Sequence, residues 1–485
     1  MSILSTSIKF IRQAAVLALL PWLACSCQWI TDDYDDEIDI GAAPNYINIT
    51  ISVSAENNAP TRAPLGGEYG DGTEKGIERE NRVSFITLIF YQDDNGINTT
   101  SEEAEVLCVK QYSVRPYTNS DLPNSHTHKT DEPTTVQNNE VLYTTGDQKL
   151  EETTLHAGQS YKMLVVANAS VNVTVGDKIK DVRDKLTSSV YTGTGAGIDA
   201  TDFVMTSESD ATVNLTSPSV DTSTGENRFI YYFNCIHIER LAARIDYCTK
   251  GANLTAEGYK YNVGSTDDDG FYVVTNVTPF NLYNDQEYLF KRVQDAWPAT
   301  NTTYLGDEST SNYVVDPKTA NKDNSNTDQP VFLSPIAENM NNSYTQAMNS
   351  LSTDQKFTPT GGSETVIIAY PRENTLMPSS HLKKYATGLA FEVKYYANSS
   401  VTTPETHVYY HYLRHQGELS TGSYQAKQWA DLSDTETGSS TISMNHGIVR
   451  NNIYRVEISG FSDEGIDLKI KVKKWDKFEH APIYM

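Results

Sequence analysis

The stretch Tyr46-Ile47-Asn48-Ile49-Thr50-Ile51-Ser52-Val53-Ser54 alternates apolar and polar residues without a break. A period of two puts four branched apolar side chains on one face of a strand, and that face has to be buried against a core. The same pattern returns near the other end of the sequence, where Ile466, Leu468, Ile470 and Val472 alternate with Asp467, Lys469, Lys471 and Lys473. The two strands are interchangeable in pattern. Just after the first comes Asn57-Asn58-Ala59-Pro60-Thr61-Arg62-Ala63-Pro64-Leu65-Gly66-Gly67. So much Pro, Gly and Asn around one basic residue predicts an exposed linker whose Arg62 a protease can reach. A strand near each end, one of them beyond a cuttable linker, is what a molecule needs to lose its own strand and accept another's. The backbone ladder then supplies affinity, and the alternate side chains supply register. On period two alone, which is common, two ordinary edge strands of one fold are the favoured reading.

Working outward, most other patterned segments are short, β-branched or aromatic, and separated by Asn, Asp, Gly and Thr clusters. They fall at 83–91, 105–114, 161–167, 203–206, 229–238, 272–275, 365–370, 389–396, 408–412 and 454–458. Short strands with irregular loops predict β-sandwiches. One stretch, 178–186, reads as a helix, because Ile179, Val182 and Leu186 fall at i, i+3 and i+7. The expectation is an all-β chain with a single short helix beside the first sandwich.

A length of 485 residues predicts two or three domains. The 38 Lys and Arg stand against 63 Asp and Glu, a net charge of −25, which argues against nucleic acid as a partner, since phosphate neutralisation needs clustered basic residues. Thirty tyrosines are too many for a chain that cannot build a core. The first residues read as an export signal. Lys9 and Arg12 form a charged start, residues 14–23 an apolar run of secretory length, and Leu23-Ala24-Cys25-Ser26-Cys27 a small-residue end carrying cysteine. Acylation of such a cysteine would hold the exported protein on a bilayer through its lipid chains. Cys27 is the preferred lipid site, because Ala24 and Ser26 suit the small positions before it. Cys25 is the alternative, and a cleaved signal without lipid is the competing reading. Asp32-Asp33-Tyr34-Asp35-Asp36-Glu37 follows as a solvated tether. Beyond residue 27 no apolar run reaches the ~18 residues of a membrane span. Cys108, Cys235 and Cys248 allow at most one internal disulfide, with a Cys235–Cys248 bridge or free thiols both open.

No stretch carries a catalytic signature. His407, His411 and His415 recur every fourth residue, but on a strand four residues span roughly 13 Å, too far for one ion. Ser265-Thr266-Asp267-Asp268-Asp269-Gly270 begins like a calcium loop, yet its twelfth position is Asn276 where the ion needs a bidentate Glu. An acidic turn is expected there, and a tight strand connection at Asp93-Asp94-Asn95-Gly96. Gly193, Gly195 and Gly197 lack the third glycine and the βαβ context of a dinucleotide fingerprint. There is no G-x-S-x-G, phosphate loop or H-E-x-x-H. Neither an enzyme, a metal nor a cofactor is expected. The tyrosines leave surface glycan binding as a reading from a different class, with no site to name.

Two stretches resemble fimbrillins of the Mfa type, the subunits of type V pili. Thr61-Arg62-Ala63-Pro64-Leu65-Gly66-Gly67-Glu68-Tyr69-Gly70 with the strand at 83–91 is similar to the family's protease-processed start. Gly447-Ile448-Val449-Arg450-Asn451-Asn452-Ile453-Tyr454-Arg455-Val456, with residues 470–475 and a short tail, resembles its C-terminal region. Phe203-Val204-Met205-Thr206-Ser207 looks like the family's Met-Thr/Ser strand and Glu239-Arg240-Leu241-Ala242-Ala243-Arg244-Ile245 like the strand that opens its second domain, so the likeness runs in order from residue 61 onward. It implies two transthyretin-like β-sandwiches: signal peptide 1–27, tether and removable strand 28–62, N-terminal sandwich 63–236 and C-terminal sandwich 237–485. It also implies cleavage between Arg62 and Ala63 by an arginine-specific protease, with loss of the strand at 46–54. The donor would be the segment around 466–472, offered to other fimbrial subunits head to tail. The expected place is the outer membrane and cell surface, in the fimbrium, held at first by outer-membrane lipid, with adhesion as the purpose. The chain departs from the family's pattern in a long Asn/Thr/Ser-rich loop at 298–335 and in a short run at 461–465 before the last strand. The loop points toward a tip or adhesive variant, while the presence of a usable donor tail favours a polymerising subunit over an anchor.

Overall fold

The computed structural model describes residues 45–53, 73–92, 101–116, 142–150, 154–191, 200–208, 210–223, 227–294, 302–304, 313–322, 327–333, 365–376, 380, 382–413, 446–462 and 465–476. Cys25, Cys27, the acidic tether, Arg62 and Ala63 lie outside these residues, as do Asp93 to Gly96, the three clustered glycines and His415. Residues Asn45–Met485 cluster as one compact unit.

The strands that position the features below are β1 (Asn45–Ser52), β2 (Thr73–Lys75), β3 (Phe85–Tyr91), β4 (Val106–Ser113), β5 (Leu142–Thr144), β6 (Ser160–Ala167), β7 (Met205–Ser207) and β8 (Arg228–Arg240). They continue with β9 (Arg244–Cys248), β10 (Tyr259–Asn262), β11 (Phe271–Phe280), β12 (Thr365–Ala369), β13 (Gly388–Tyr396), β14 (Glu405–Tyr412), β15 (Asn452–Ser462) and β16 (Gly465–Asp476). Each of the ten other segments read as patterned in the sequence lies on or overlaps one of them. The chain is all-β in its described part apart from a few short helical turns.

The first sheet runs β4-β3-β6-β7-β8-β1-β5 and ends on the short strand Arg115–Pro116. Its central strands are apolar because they are covered: Leu88, Ile89, Leu164 and Val165 are fully buried. β8 is the spine. Its first two-thirds pair with β1 in parallel, and its last residues pair with β7 antiparallel. The expected domain limit at 236/237 falls inside this strand. The apolar core changes a few residues later, since Leu241 and Ala242 pack in the first cluster and Ala243 and Ile245 in the second.

The second sandwich has two five-stranded sheets. One runs β2-β16-β15-β9-β12; in the other the short strand Asn253–Leu254 leads into β10-β11-β13-β14. Ile245, Tyr247, Val274, Phe391, Val456 and Ile470 meet between them. The aromatic residues predicted along these strands are largely core and cross-strand pairs, as in the edge-to-face contact of Tyr247 with Phe391 at 6.0 Å.

The helix is shorter than its sequence period suggested. α1 covers Ile179–Arg183 and buries Ile179 and Val182 against the first core. Leu186 is not on its face: it lies in the two-residue strand Leu186–Thr187, is 41% exposed, and pairs with Glu287–Tyr288. A helix of five residues gains little from propagation, so a ladder with a neighbouring strand takes over at its end. A second turn of helix, α2 (Leu382–Tyr385), packs Leu382 and Tyr385 on the outer face of β13 and β14.

Candidate functional site

The sequence singled out a removable strand and a donor strand, and both are fully folded. In β1 and the residue that follows it, Ile47, Ile49, Ile51 and Val53 are 0–1% exposed. The strand is central: β8 runs parallel on one side, with Ile47 opposite Tyr231 and Ile51 opposite Ile236, and β5 runs antiparallel on the other, with Ile51 opposite Tyr143. Thr50 and Ser52 are buried as well, so this end of the strand is covered on both faces.

Polar contacts fix its register. Thr145 Oγ1 accepts from the Ile49 amide at 3.1 Å, and the Thr145 amide returns a bond to the Ile49 carbonyl at 3.0 Å. Asn48 Nδ2 donates to Asp147 at 2.9 Å, and the Arg228 guanidinium lies 4.1 Å above the Tyr46 ring. Each fully buried aliphatic side chain contributes about 1.5–3 kcal/mol, so the four of β1 contribute on the order of 6–12 kcal/mol toward closing the sandwich.

The C-terminal strand is equally at home. Ile466, Leu468, Ile470 and Val472 are at most 3% exposed and pair along β15, with Tyr454 opposite Val472 and Val456 opposite Ile470. Its other edge is different. Among the described residues only β2 pairs with it there, in parallel, and only at its end: Thr73 faces Lys474, Glu74 faces Trp475 and Lys75 faces Asp476. The remainder of that edge carries lysines in the sequence at 469, 471 and 473, a common way to keep an unpaired strand from aggregating.

Where β2 leads into the 3-10 turn Glu78–Asn81, a buried polar knot forms that the sequence reading did not assemble. The Glu80 carboxylate is 0% exposed. It accepts from the Ile77 amide at 2.8 Å, from Arg244 Nη1 at 2.9 Å, from the Trp475 indole Nε1 at 3.1 Å and from the Tyr370 hydroxyl. Arg240 completes the knot. Its Nε donates to the Glu80 carbonyl at 2.9 Å and its Nη1 to Asn451 Oδ1 at 3.1 Å and the Trp475 carbonyl at 3.2 Å, while its guanidinium lies 4.5 Å from the indole centroid. Tyr370 stacks on the same indole, and Phe203 meets it edge-on.

Burial alone would lower the Arg244 pKa, but the carboxylates of Asp246 and Glu80 outweigh it and push the value up, so the group stays charged. Burial raises the Tyr370 hydroxyl, with the Glu80 charge adding to the effect. Arg240, Arg244 and Asn451 were legible only as members of stretches resembling a family. Glu80 sits in Glu78-Arg79-Glu80-Asn81-Arg82, where no local pattern sets it apart.

A second buried charge cluster lies close by in the fold. Arg450 binds Glu373 at 3.0 Å and the carbonyls of Tyr288 and Leu289 at 2.7 and 3.2 Å, and Lys291 pairs with Glu239 at 2.9 Å. Glu287, 0% exposed, accepts from the Glu373 amide, and burial pushes its carboxyl up to about 8. None of these groups pairs a nucleophile with a base. The arrangement fastens strands together.

His407 and His411 lie on β14, a strand. The acidic run is a turn in which Asp269 accepts from the Thr266 amide and hydroxyl, both at 2.9 Å. Among the described residues no three His, Cys, Asp or Glu come together as a metal site, and no helix is long and apolar enough to cross a membrane. Neither Cys108 nor Cys248 is in a disulfide.

No protein-family model and no curated sequence matches the chain. Solved structures do. The chain is similar to the tip fimbrial protein Mfa3 from Porphyromonas gingivalis with a C-terminal truncation, at 11% identity and a TM-score of 0.40, over 89% of this chain and 100% of that one. It is also similar to a fimbrial assembly protein from Parabacteroides distasonis, at 12% identity and a TM-score of 0.34, over 89% of this chain and 98% of the other.

Proposed function

We propose that this chain is a structural subunit of a surface fimbria, polymerised by exchange of strands between copies. The carrying observation is the position of β1. A central strand of the first sandwich, buried at Ile47 and from Ile49 onward, is joined to the downstream chain only through residues 54–72, which include Arg62. Cleavage between Arg62 and Ala63 by an arginine-specific protease turns that strand into a peptide held without a covalent bond. Once it leaves, an apolar slot and two unpaired ladder edges remain, and a strand of the same pattern refills both. The segment around Ile466, Leu468, Ile470 and Val472 has that pattern. Its donation by one copy to the next is heterologous, so the contacts propagate into a filament.

In this reading the chain is exported as a lipoprotein acylated at Cys27, with Cys25 as the alternative, and outer-membrane lipid holds the precursor until it is cut. Three basic and seven acidic residues precede Ala63, so the mature part keeps a net charge of −21. Strand insertion has to overcome that mutual repulsion.

A second reading, a non-polymerising tip subunit, is favoured by the hold on Trp475, since a strand locked at home cannot be donated. One experiment separates the two. Residues 28–485 are treated with an arginine-specific protease, the new N-terminus is identified by mass spectrometry, and particle size is followed by electron microscopy. A new Ala63 terminus with growing filaments supports exchange. Cutting at Arg62 that leaves stable monomers supports the tip, and the absence of cutting there removes the processing scheme.

A further inference from the structure

Beside the last residues of β1 the first sandwich opens into a cleft of about 820 Å³. Ile77, Val83, Val114 and Tyr143 give it apolar walls, and Arg79 and Arg82 line it as well. The cleft continues the slot that β1 fills, because Tyr143 is the cross-strand partner of Ile51 and Leu142 that of Ser52. Arg82 is 63% exposed and reaches Asp202 at 3.3 Å, an exposed pair that is easily exchanged for a better carboxylate.

We propose that this cleft is the far end of the acceptor site and takes the residues that follow Val472 in the C-terminal strand of a second copy. The inference rests on the exchange reading above. Length is the first argument. β16 has 12 residues and β1 has 8. With Ile466, Leu468, Ile470 and Val472 in the places of Ile47, Ile49, Ile51 and Val53, and the strand running in the direction of β1, residues 473–476 pass beyond the slot on the Tyr143 side. Four strand residues reach roughly 13 Å, enough to bring the chain that follows Val472 to the cleft.

Chemistry is the second argument. The sequence there is Trp475-Asp476-Lys477-Phe478-Glu479, two aromatic rings interleaved with two carboxylates. The rings suit the apolar walls, and the carboxylates suit two guanidinium forks, which bind such groups bidentately. The cleft volume lies within the range of sites that enclose a ligand of this size. Its position adds a consequence. The turn Glu78–Asn81 lines the cleft through Arg79 and grips the chain's own Trp475 through Glu80. A tail arriving from one copy therefore binds against the turn that holds the tail of the next.

The test uses precursor cut at Arg62, with loss of the N-terminal strand verified by mass spectrometry, and two labelled peptides followed by fluorescence anisotropy. One peptide covers residues 465–473 and the other 465–485. The long peptide is expected to bind at least tenfold more tightly. Arg79→Glu with Arg82→Glu should reduce the long peptide to the affinity of the short one and leave the short one unchanged. A long peptide carrying Asp476→Lys and Glu479→Lys should lose the same advantage on unaltered protein, which covers the case of a double variant that folds poorly. Equal affinity of the two peptides overturns the inference while leaving strand exchange standing. Binding by neither overturns the exchange reading and this inference with it.

Discussion

The indole nitrogen of Trp475 donates to the carboxylate of Glu80 at 3.1 Å, across 395 positions of sequence. Glu80 follows the stretch that carries Arg62, and Trp475 is the penultimate residue of the C-terminal strand, so one hydrogen bond joins the two segments on which strand exchange would act. Breaking a buried carboxylate–guanidinium contact costs about 3–5 kcal/mol, because the remaining charge stays buried. Glu80→Gln is therefore expected to lower the unfolding free energy by a few kcal/mol. Trp475→Phe, which removes the N–H donor and part of the ring, should cost about 1–3 kcal/mol. Urea unfolding curves for the two variants check this. A Glu80→Gln midpoint equal to that of the parent would show the knot contributes nothing.

Glu287 gives a pH signature. The ordinary value for its carboxyl is 4.5; burial pushes it up to about 8, with Arg450 pulling it down and Glu373 pushing it further up. Between about pH 4.5 and 8 the unfolded chain has released a proton that the folded chain keeps, so this residue lowers stability as pH rises through that window. Glu287→Gln removes the titration and keeps an acceptor for the Glu373 amide. Parent and variant should unfold alike below pH 4.5, and the variant should be more stable by a few kcal/mol at pH 8. A constant difference across that range would refute the assignment.

In the exchange reading, Ile49 separates the role of β1 before cutting from its role afterwards. The side chain is 0% exposed in the first core, and truncating such an isoleucine costs about 2–5 kcal/mol. Ile49→Ala should lower the melting temperature of uncut protein. After cutting and strand loss the assembled material no longer contains residue 49, so its melting temperature should match that of the parent. A lowered value in both states would mean that β1 stays in place.

The sequence announced the strands because a half-buried strand imposes a period of two, and 47–53, 466–472 and 389–396 all obey it. It announced the wrong end for α1, since Leu186 kept the helical spacing while a ladder with Glu287–Tyr288 took the backbone. The knot was invisible for a different reason. Nothing local distinguishes Glu80 from Glu78, and its partners Arg244, Tyr370 and Trp475 converge only once both sandwiches are built. The same holds for β2, three residues without any apolar period that pair with the end of the last strand. Long-range polar convergence has no period to read.

In the exchange reading proposed above, Arg62 is the residue on which assembly turns. While the chain is intact, β1 is tethered next to its slot, so its effective concentration there is that of a short intramolecular linker, and no second copy in solution can compete with it. Cutting removes that advantage without breaking one hydrogen bond of β1. The slot then opens only as the freed strand dissociates, and an incoming strand of equal pattern wins by supply. Arg62→Ala is therefore expected to give a folded protein with unchanged thermal stability that stays monomeric under conditions in which cut parent forms filaments. Light scattering after protease treatment measures the difference directly. Filaments from Arg62→Ala at the parent's rate would mean that the slot is filled without processing, and that the strand leaves by another route.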